Sequence, residues 1–423
     1  MSNAFTKQEL VAWEDIVLGF EDYLILSNNV SKYETSSTDM ERAGDTIWRP
    51  VEYIAETFDG MDQTANFKDQ TQLAVPARIG FSKSRPWTMD AKELRDALQE
   101  NRLGRAAYQK LASDINKAIL DVSASQGSLV VKRTVAASGF DDVAQCDSIM
   151  NEQGVNAFDR YLALGSRDYN GMANNLQVAS RSFGNSKSDN AYEKSYVGQV
   201  CNFDTYKMDI SSRLLAASGG AGITINTLAA GANYYTPKAT STATTGEVSN
   251  VDNRFQRVTV SSTTNVRAGD AFTIAGAEAV HHITKTGTGQ LKTYRVISVD
   301  SATTMTICPP IISNQGGTVA ESCYQNVSIT PSATAAIVFL NTVTAAVNPF
   351  WQKDALEILP GHYAVPDNAG AGIMRSTTSN GIELVMQKQY DLKTMKTFFR
   401  VDVLFGVVCK NPEACGIMLF NQS

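Results

Sequence analysis

The chain holds three histidines, and two of them, His281 and His282, are neighbours. With Cys308 and Cys323 they offer the nitrogen and sulfur donors from which a tetrahedral zinc site is built. The spacing argues against one, because consecutive residues on a strand point to opposite faces and neither cysteine has a second cysteine close by in sequence. No metal site is expected. His362 is the remaining histidine, and the chain contains no G-x-S-x-G, no H-E-x-x-H and no G-x-x-x-x-G-K-S/T, so hydrolase and nucleotide-binding templates fail by inspection. Gly287-Thr288-Gly289 and Gly219-Gly220-Ala221-Gly222 lack the lysine or the strand-to-helix setting of a phosphate cradle and read as a turn and a linker. Asp141-Asp142 reads as a helix start, where carboxylates favour the positive end of the dipole. The six cysteines are thinly spread, as lone buried thiols in a reducing cytoplasm would be. Neither catalysis nor a cofactor is expected.

A chain of 423 residues exceeds what one hydrophobic core usually serves, so two or three domains are expected. Hydrophobic residues at 43% against charged residues at 19% exclude a disordered protein. A formal net charge of -6 excludes one whose main work is gripping phosphate backbones, so contact with nucleic acid should be weak and local. The first residues carry no cationic segment ahead of an apolar run, and no run is long enough to cross a bilayer; a soluble protein without a signal peptide is expected.

Thr6-Lys7-Gln8-Glu9 has the form of a capping box. Behind it Trp13, Ile16, Val17, Phe20, Tyr23 and Leu24 make an apolar stripe, with Glu14, Asp15, Glu21 and Asp22 opposite. This acidic amphipathic helix either packs on its own domain or docks a basic partner. From Asp39 to Ser84 the texture is extended, with a polar tip around Gly60-Met61-Asp62-Gln63-Thr64, and Pro50 and Pro76 make these edge strands. Such an arm is marginal alone and should lie on something else. Asp90, with Glu93 three residues on, is expected to open a long helix ending at Gly127, its apolar face being Leu94, Leu98, Ala107, Leu111, Ile115, Ile119 and Val122. Gly104 inside it implies a bend or a close contact.

Residues 136–215 read as α+β: a helix at Asp141 to Gln153, a strand at Arg160 to Gly165 and a loop at Ser180 to Asn190. After Gly219–Gly222, about a hundred residues rich in threonine, serine, valine and glycine form an all-β insertion, with strands such as Gln256 to Ser261 and Thr293 to Val299. Ala333 to Val347 is an apolar helix or strand, and Thr397 to Val408 and Gly416 to Phe420 are the final strands.

This order resembles the coat proteins of P22-like podoviruses, built on the HK97 fold. The residues that carry the resemblance are Met40, Asp45-Thr46-Ile47-Trp48, Pro50-Val51-Glu52, Glu93-Leu94-Arg95-Asp96 and Gly127-Ser128-Leu129-Val130. In the insertion they are Asn250-Val251-Asp252-Asn253-Arg254-Phe255, Val258-Thr259-Val260-Ser261, Gly269-Asp270 and Ala275-Gly276. Near the end they are Asn348, Phe350-Trp351, Asp354-Ala355, Ile358, Asn411, Pro412-Glu413-Ala414 and Gly416. The resemblance implies an HK97-type α+β fold. Its parts would be an N-terminal arm (1–38), extended strands and an E-loop (39–88), a P-domain with the spine helix (89–135), an A-domain (136–221), an inserted small β-barrel or I-domain (222–330) and a return to the A- and P-domains (331–423).

Its implied function is that of the major capsid protein of a tailed double-stranded DNA bacteriophage. Hexamers and pentamers of the chain would form an icosahedral T=7 procapsid in the host cytoplasm, with scaffolding and portal proteins and possible decoration, expanding when DNA is packaged. Trp13, Glu14 and Asp15 are the implied scaffold-docking residues; Phe58, Asp59, Met61, Asp62 and Lys68 the E-loop contacts; Lys238, Glu247, Asp252 and Arg254 the I-domain contacts. The chain departs from the pattern at 234–250, where only Lys238 and Glu247 are charged, so salt bridges of a projecting loop do not carry over. Relatives in the wider fold cross-link an E-loop lysine to an asparagine, and Lys68 sits near the tip. An isopeptide also needs a buried carboxylate base that the sequence does not place, so no cross-link is expected. An encapsulin-like cargo shell and a β-rich surface-binding protein are the competing readings.

Overall fold

The computed structural model describes residues 7–33, 46–90, 97–181, 197–209, 212–219, 222–226, 233–364 and 372–423. It divides into two compact units, each gathered from separate stretches of sequence. One comprises Met1–Ile47, Ala77–Leu120 and Leu356–Val408; the other comprises Trp48–Pro76, Asp121–Ala355 and Cys409–Ser423.

In the first unit helix α1 (Lys7–Tyr23) buries Trp13, Ile16 and Phe20 of the expected stripe, with Leu24 just beyond its end buried too, while Val17 is half-buried and Tyr23 is exposed. Helix α2 (Ala97–Gln126), which belongs to this unit as far as Leu120 and to the other from Asp121, contributes Ala107, Leu111, Ile115 and Ile119. The two helices cross closely because each offers a glycine: a Cβ on Gly104 would stand 2.6 Å from Ile16 Cδ1, and one on Gly19 2.7 Å from the Tyr108 ring. The interior glycine of α2 therefore marks a close contact, as one of the two expected alternatives. At 1.5 Å per residue α2 is about 45 Å long. Asp90 does not open it. The residue ends the strand Phe81–Asp90, because the ladder to Lys396–Cys409 runs on through Met89 and Asp90. The capping partner Glu93 and the threonine of the first capping box lie outside the described residues.

That ladder belongs to a sheet ordered Ser31–Lys32, Leu356–Pro360, Lys396–Cys409, Glu383–Asp391, Gly372–Thr377, with Phe81–Asp90 also paired to Lys396–Cys409. Direct cross-strand partners are aromatic: Trp87 stacks on Phe399 at 5.5 Å and Phe81 on Phe405 at 5.2 Å. Such pairs add about 0.5–1.5 kcal/mol beyond the area they bury.

The second unit holds a mixed sheet ordered Leu129–Lys132, Cys415–Leu419, Asn348–Gln352, Arg160–Gly165, Phe203–Met208, Gln199–Val200. Helices α3 (Phe140–Gln153) and α4 (Ser166–Arg181) pack on it through Val143, Cys146, Met150, Tyr169 and Met172. Asp141 and Asp142 do start α3, and Asp142 Oδ2 accepts from the backbone of Ser138 at 2.7 Å and of Gly139 at 3.1 Å. Most of the polar stretch 180–190 lies outside the described residues.

The inserted β-domain is a five-stranded antiparallel sheet ordered Gln256–Thr259, Thr304–Cys308, Gly287–Ser301, Ala271–Val280, Ile337–Phe339. Bridges Thr224–Ala336 and Ile225–Val260 join one short segment to both edges, which closes the sheet into a small barrel around Phe272, Ile274, Tyr294 and Val296. Closure removes the open edges that would otherwise invite pairing. The barrel takes in Ile337–Phe339, beyond the Thr330 expected as its end, and the apolar stretch 333–347 is two short strands, the second Ala345–Ala346. Its β-branched Ile337 and Val338 suit a ladder.

Candidate assembly surfaces and the joint of the inserted domain

The extended arm leaves the ladder between Thr46–Pro50 and Ala74–Arg78, which Val51 N prolongs by donating to Leu73 O at 3.0 Å. Its root is well held. Val51, Ile54 and Leu73 pack against Ile312 and against Tyr324 of helix α5 (Val319–Tyr324), the Tyr324 hydroxyl donates to Thr71 O at 3.1 Å, and Ala74 bridges Asp252. The barrel of the same chain thus carries the root of the arm. Beyond the root the arm has no regular structure except a 3-10 turn at Thr64–Asn66.

The tip is nonetheless shaped. The Gln63 side chain donates to Gly60 O at 2.5 Å, Asp62 Oδ1 accepts from Thr64 Oγ1 at 2.6 Å, and Asn66 Nδ2 donates to Gln63 Oε1 at 2.6 Å. The Thr64 bonds hold the Asp62 carboxyl below its ordinary range, so it stays ionised. On this frame Phe58, Met61 and Phe67 are exposed, with Met61 entirely so. Asp59, Asp62 and Lys68 are exposed beside them. Gln63, named in the polar tip, and Phe67 are not among the contacts the resemblance implies; the Asp62-x-Thr64 turn is their legible signal.

On α1, Glu14 and Asp15 face solvent while Trp13 is buried in the same unit, so the tryptophan serves packing and the acids remain available. In the inserted domain a two-stranded hairpin, Thr240–Thr242 with Val248–Asn250, has every residue exposed. Glu247 lies at its turn, and the exposed Lys238 precedes it, held through backbone bonds to the Asn253 side chain at 3.0 and 2.9 Å.

Asp252 and Arg254, grouped with these two from sequence, turn inward instead. Arg254 pairs with Asp252 at 2.7 Å and donates to Cys409 O at 2.9 Å and Gln126 Oε1 at 3.3 Å. A guanidinium can do this because its planar fork serves several acceptors at once. These residues join the barrel to the end of α2 and to the C-terminal segment.

A second joint lies around Glu413. Its carboxylate takes Lys292 Nζ at 2.5 Å and Asn326 Nδ2 at 3.0 Å, His282 Nε2 stands 3.1 Å away without a hydrogen bond, and Lys292 also donates to Gln153 Oε1 at 2.6 Å. Burial pushes His282 down to about 4, outweighing the pull of Glu413, so the ring is neutral at neutral pH. Burial alone would raise Glu413, but His282 and Lys292 and the bonds to it hold it below its ordinary value. The adjacent His281 is spatially separate in role: its Nδ1 caps a turn by accepting from Ile283 N and Thr284 N, both at 3.2 Å. Among the described residues no group of three or more potential donors could hold a metal ion. A cavity of about 510 Å³ opens beside the joint, lined by the arm root, His282, Tyr324, Arg254 and Glu413.

The sequence model described as P22 coat protein, gene protein 5, matches residues 1–421. The chain belongs to the P22 coat protein family. Among solved structures, a chain of Mycobacterium phage Che8 is 10% identical, with a TM-score of 0.44 over 93% of this chain and 90% of its own. The capsid chain of Cyanophage P-SCSP1u is 11% identical, with a TM-score of 0.44 over 93% and 87%. The CUS-3 coat protein I-domain is 37% identical, with a TM-score of 0.22 over 29% of this chain and 99% of its own.

Members of the P22 coat protein family are structural subunits of a shell. The chain is accordingly the major capsid protein of a tailed double-stranded DNA bacteriophage, with an HK97-type α+β fold, an inserted barrel, self-association and a place in the virion capsid. Neither an encapsulin-like cargo shell nor a β-rich surface protein is favoured by a match of this extent. No described helix is long and apolar enough to cross a membrane.

Proposed function

We propose that this coat protein assembles as hexamers and pentamers in a T=7 icosahedral procapsid, built in the host cytoplasm around a scaffolding protein, and that the arm tip is its principal inter-subunit contact. The tip supports this reading. Its backbone is tied by its own side chains, so its shape is set in advance, while Phe58, Met61 and Phe67 are presented to solvent. Exposed apolar groups on a preorganised loop lower the ordering cost of association. Asp59, Asp62 and Lys68 would lie at the polar rim of the same contact.

The reading includes a portal at one vertex, expansion on packaging of DNA held by weak non-specific contact, and room for a decoration protein. It keeps the six-part division of the chain given above, with the barrel extended to Phe339. The acidic outer side of α1, Glu14 and Asp15, would dock a basic segment of the scaffold; Lys238 and Glu247 on the projecting hairpin would meet a neighbouring capsomer. The test is co-expression of a Phe58→Ser, Met61→Ser, Phe67→Ser variant with scaffold. Because all three side chains are exposed, the free chain should keep its urea midpoint while closed particles, counted by sedimentation and electron microscopy, fall at least tenfold. Normal particle yield would refute the role of the tip.

A further inference from the structure

Scattered in sequence, the thiols are not all scattered in space. The strand Lys396–Cys409 ends at Cys409 and the strand Cys415–Leu419 begins at Cys415, and the residues between them fold into a tight corner. Lys410 N donates to Ala355 O at 2.8 Å, Ala414 N to Asn411 O at 3.2 Å, and Glu413 N to the Asn411 side chain at 3.1 Å. Glu413 is anchored in turn by Lys292 and Asn326. The corner brings Cys409 Sγ and Cys415 Sγ to 3.4 Å, with both residues fully buried. Cys415 Sγ has two further neighbours, Pro412 O at 3.6 Å and Asn411 O at 3.7 Å. Cys308 is buried in the same region, its Sγ 3.5 Å from Gln126 O. Arg295, also buried, donates through Nε to Gly269 O at 3.1 Å, but its Nη1 has no hydrogen-bond partner among the described residues. This cation offsets only a small part of what burial and the neighbouring sulfur do to Cys308 and Cys415, whose thiols stay protonated well above their ordinary range.

We infer that Cys409 and Cys415 form a latent disulfide, a modification site at which a low-molecular-weight disulfide oxidises the pair. The two sulfurs need approach by only about 1.4 Å to reach bonding distance. One cysteine, as its thiolate, attacks the small disulfide, whose S–S bond breaks and releases one small thiol carrying the proton that the cysteine lost. The second cysteine gives up its proton and attacks the mixed disulfide, releasing the other small thiol. The protein loses two protons and two electrons, and the small disulfide gains them as two thiols.

Burial sets the pace of this reaction. The hydrogen bond with Cys409 and removal from water keep the Cys415 thiol protonated well above its ordinary range, so neither sulfur is a ready nucleophile while the corner is closed. Reaction requires the corner to open briefly. In a reducing compartment the pair stays free; a shell released into an oxidising medium has time for rare openings to be captured. The link then ties the end of one strand to the start of the next across a very short loop.

The test uses the full chain, unassembled and in shells, held in oxidised glutathione or in dithiothreitol. Remaining thiols are then blocked with N-ethylmaleimide under denaturing conditions and the chain is digested with trypsin. Cleavage after Arg400 and Lys410 places the two cysteines on separate peptides, 401–410 and 411–423, so a link is read directly as a joined pair. Oxidation should lower the titratable thiols by two from the six of the sequence, yield that joined pair, and raise the urea midpoint. Cys308→Ser should leave the link intact, and Cys409→Ser or Cys415→Ser should abolish both the link and the shift. Six free thiols after oxidation in sub-denaturing urea, or a link through Cys308, would overturn the inference.

Discussion

Removing the Glu413 carboxylate should be the most damaging single change at the joint of the inserted domain. Lys292 is 1% exposed, and among the described residues its ammonium meets only Glu413 at 2.5 Å and Gln153 at 2.6 Å. Glu413→Ala leaves that charge buried against a neutral amide. Breaking a buried ion pair from one side costs about 3–5 kcal/mol. Since a domain is stable by only about 5–15 kcal/mol, the variant should show a large fall in urea midpoint or accumulate as aggregate. Lys292→Met alone should cost less, because Glu413 keeps Asn326 Nδ2 at 3.0 Å and retains some access to the neighbouring cavity. The double variant Lys292→Met, Glu413→Gln removes both charges, keeps an acceptor for Asn326 and places an apolar chain where the lysine stem lay. It should recover to within about 1–2 kcal/mol of the parent, since well-packed neutral replacements of buried pairs are often close to neutral. The assay is equilibrium urea unfolding of these four chains together with Glu413→Gln alone, which closes the double-mutant cycle of Lys292→Met and Glu413→Gln. A cost below about 1 kcal/mol for Glu413→Ala, or a double variant worse than either single one, would refute the reasoning.

The same joint makes stability acid-sensitive. The unfolded chain takes up a proton on His282 near 6.5, whereas the folded chain resists until about 4. Stability is therefore complete above pH 6.5 and declines as pH falls towards 4; at about 1.4 kcal/mol per pH unit the loss amounts to about 3 kcal/mol. Urea midpoints across pH 7 to 4 should fall, and His282→Gln should flatten that slope. Arg254→Ala should cost about 2–3 kcal/mol and Arg254→Lys should recover little of it, because an ammonium cannot span Asp252, Cys409 O and Gln126 together; differential scanning calorimetry checks both. Gly104→Leu should lower stability by about 1–3 kcal/mol and free α1, seen as protease cleavage near its start, whereas leucine in an open helix would stabilise by about 1 kcal/mol.

Legibility followed the range of the interaction. Periodic features with local causes were readable: the buried stripe of α1, the start of α3 at Asp141-Asp142, the strand Arg160–Gly165 and the alternating strands of the barrel. The start of α2 was misjudged because Asp90 and Glu93 match a capping pattern, while the ladder that holds Asp90 in a strand depends on Lys396, far along the chain. The joint was invisible for the same reason. Nothing near His282 or Lys292 announces Glu413, and nothing near Arg254 announces Cys409. The cysteines looked isolated because counting spacings does not reveal that a 3-10 turn at Pro412–Ala414 folds Cys415 back towards Cys409.

The contact proposed for the arm gives the barrel a role that does not require it to touch another subunit. Both ends of the arm are tied to it, by Tyr324 and Ile312 against Val51, Ile54 and Leu73, by the Tyr324 hydroxyl on Thr71 O, and by the bridge from Ala74 to Asp252. Asp252 in turn positions Arg254, which holds Cys409. A free arm of this length would lose backbone entropy of about 1–2 kcal/mol for each residue ordered on association. With the root ordered at folding and the tip tied by Gln63 and Asp62, only the stretches between them remain to be ordered when copies meet. On the contact proposed above for the arm tip, loosening the barrel should therefore weaken assembly, even at positions remote from any interface. Tyr324→Phe separates the two roles: it keeps the apolar packing and removes one bond to the arm, so it should slow assembly more than it lowers the unfolding midpoint. Equal effects on both would mean that the barrel acts on assembly only through the stability of the chain.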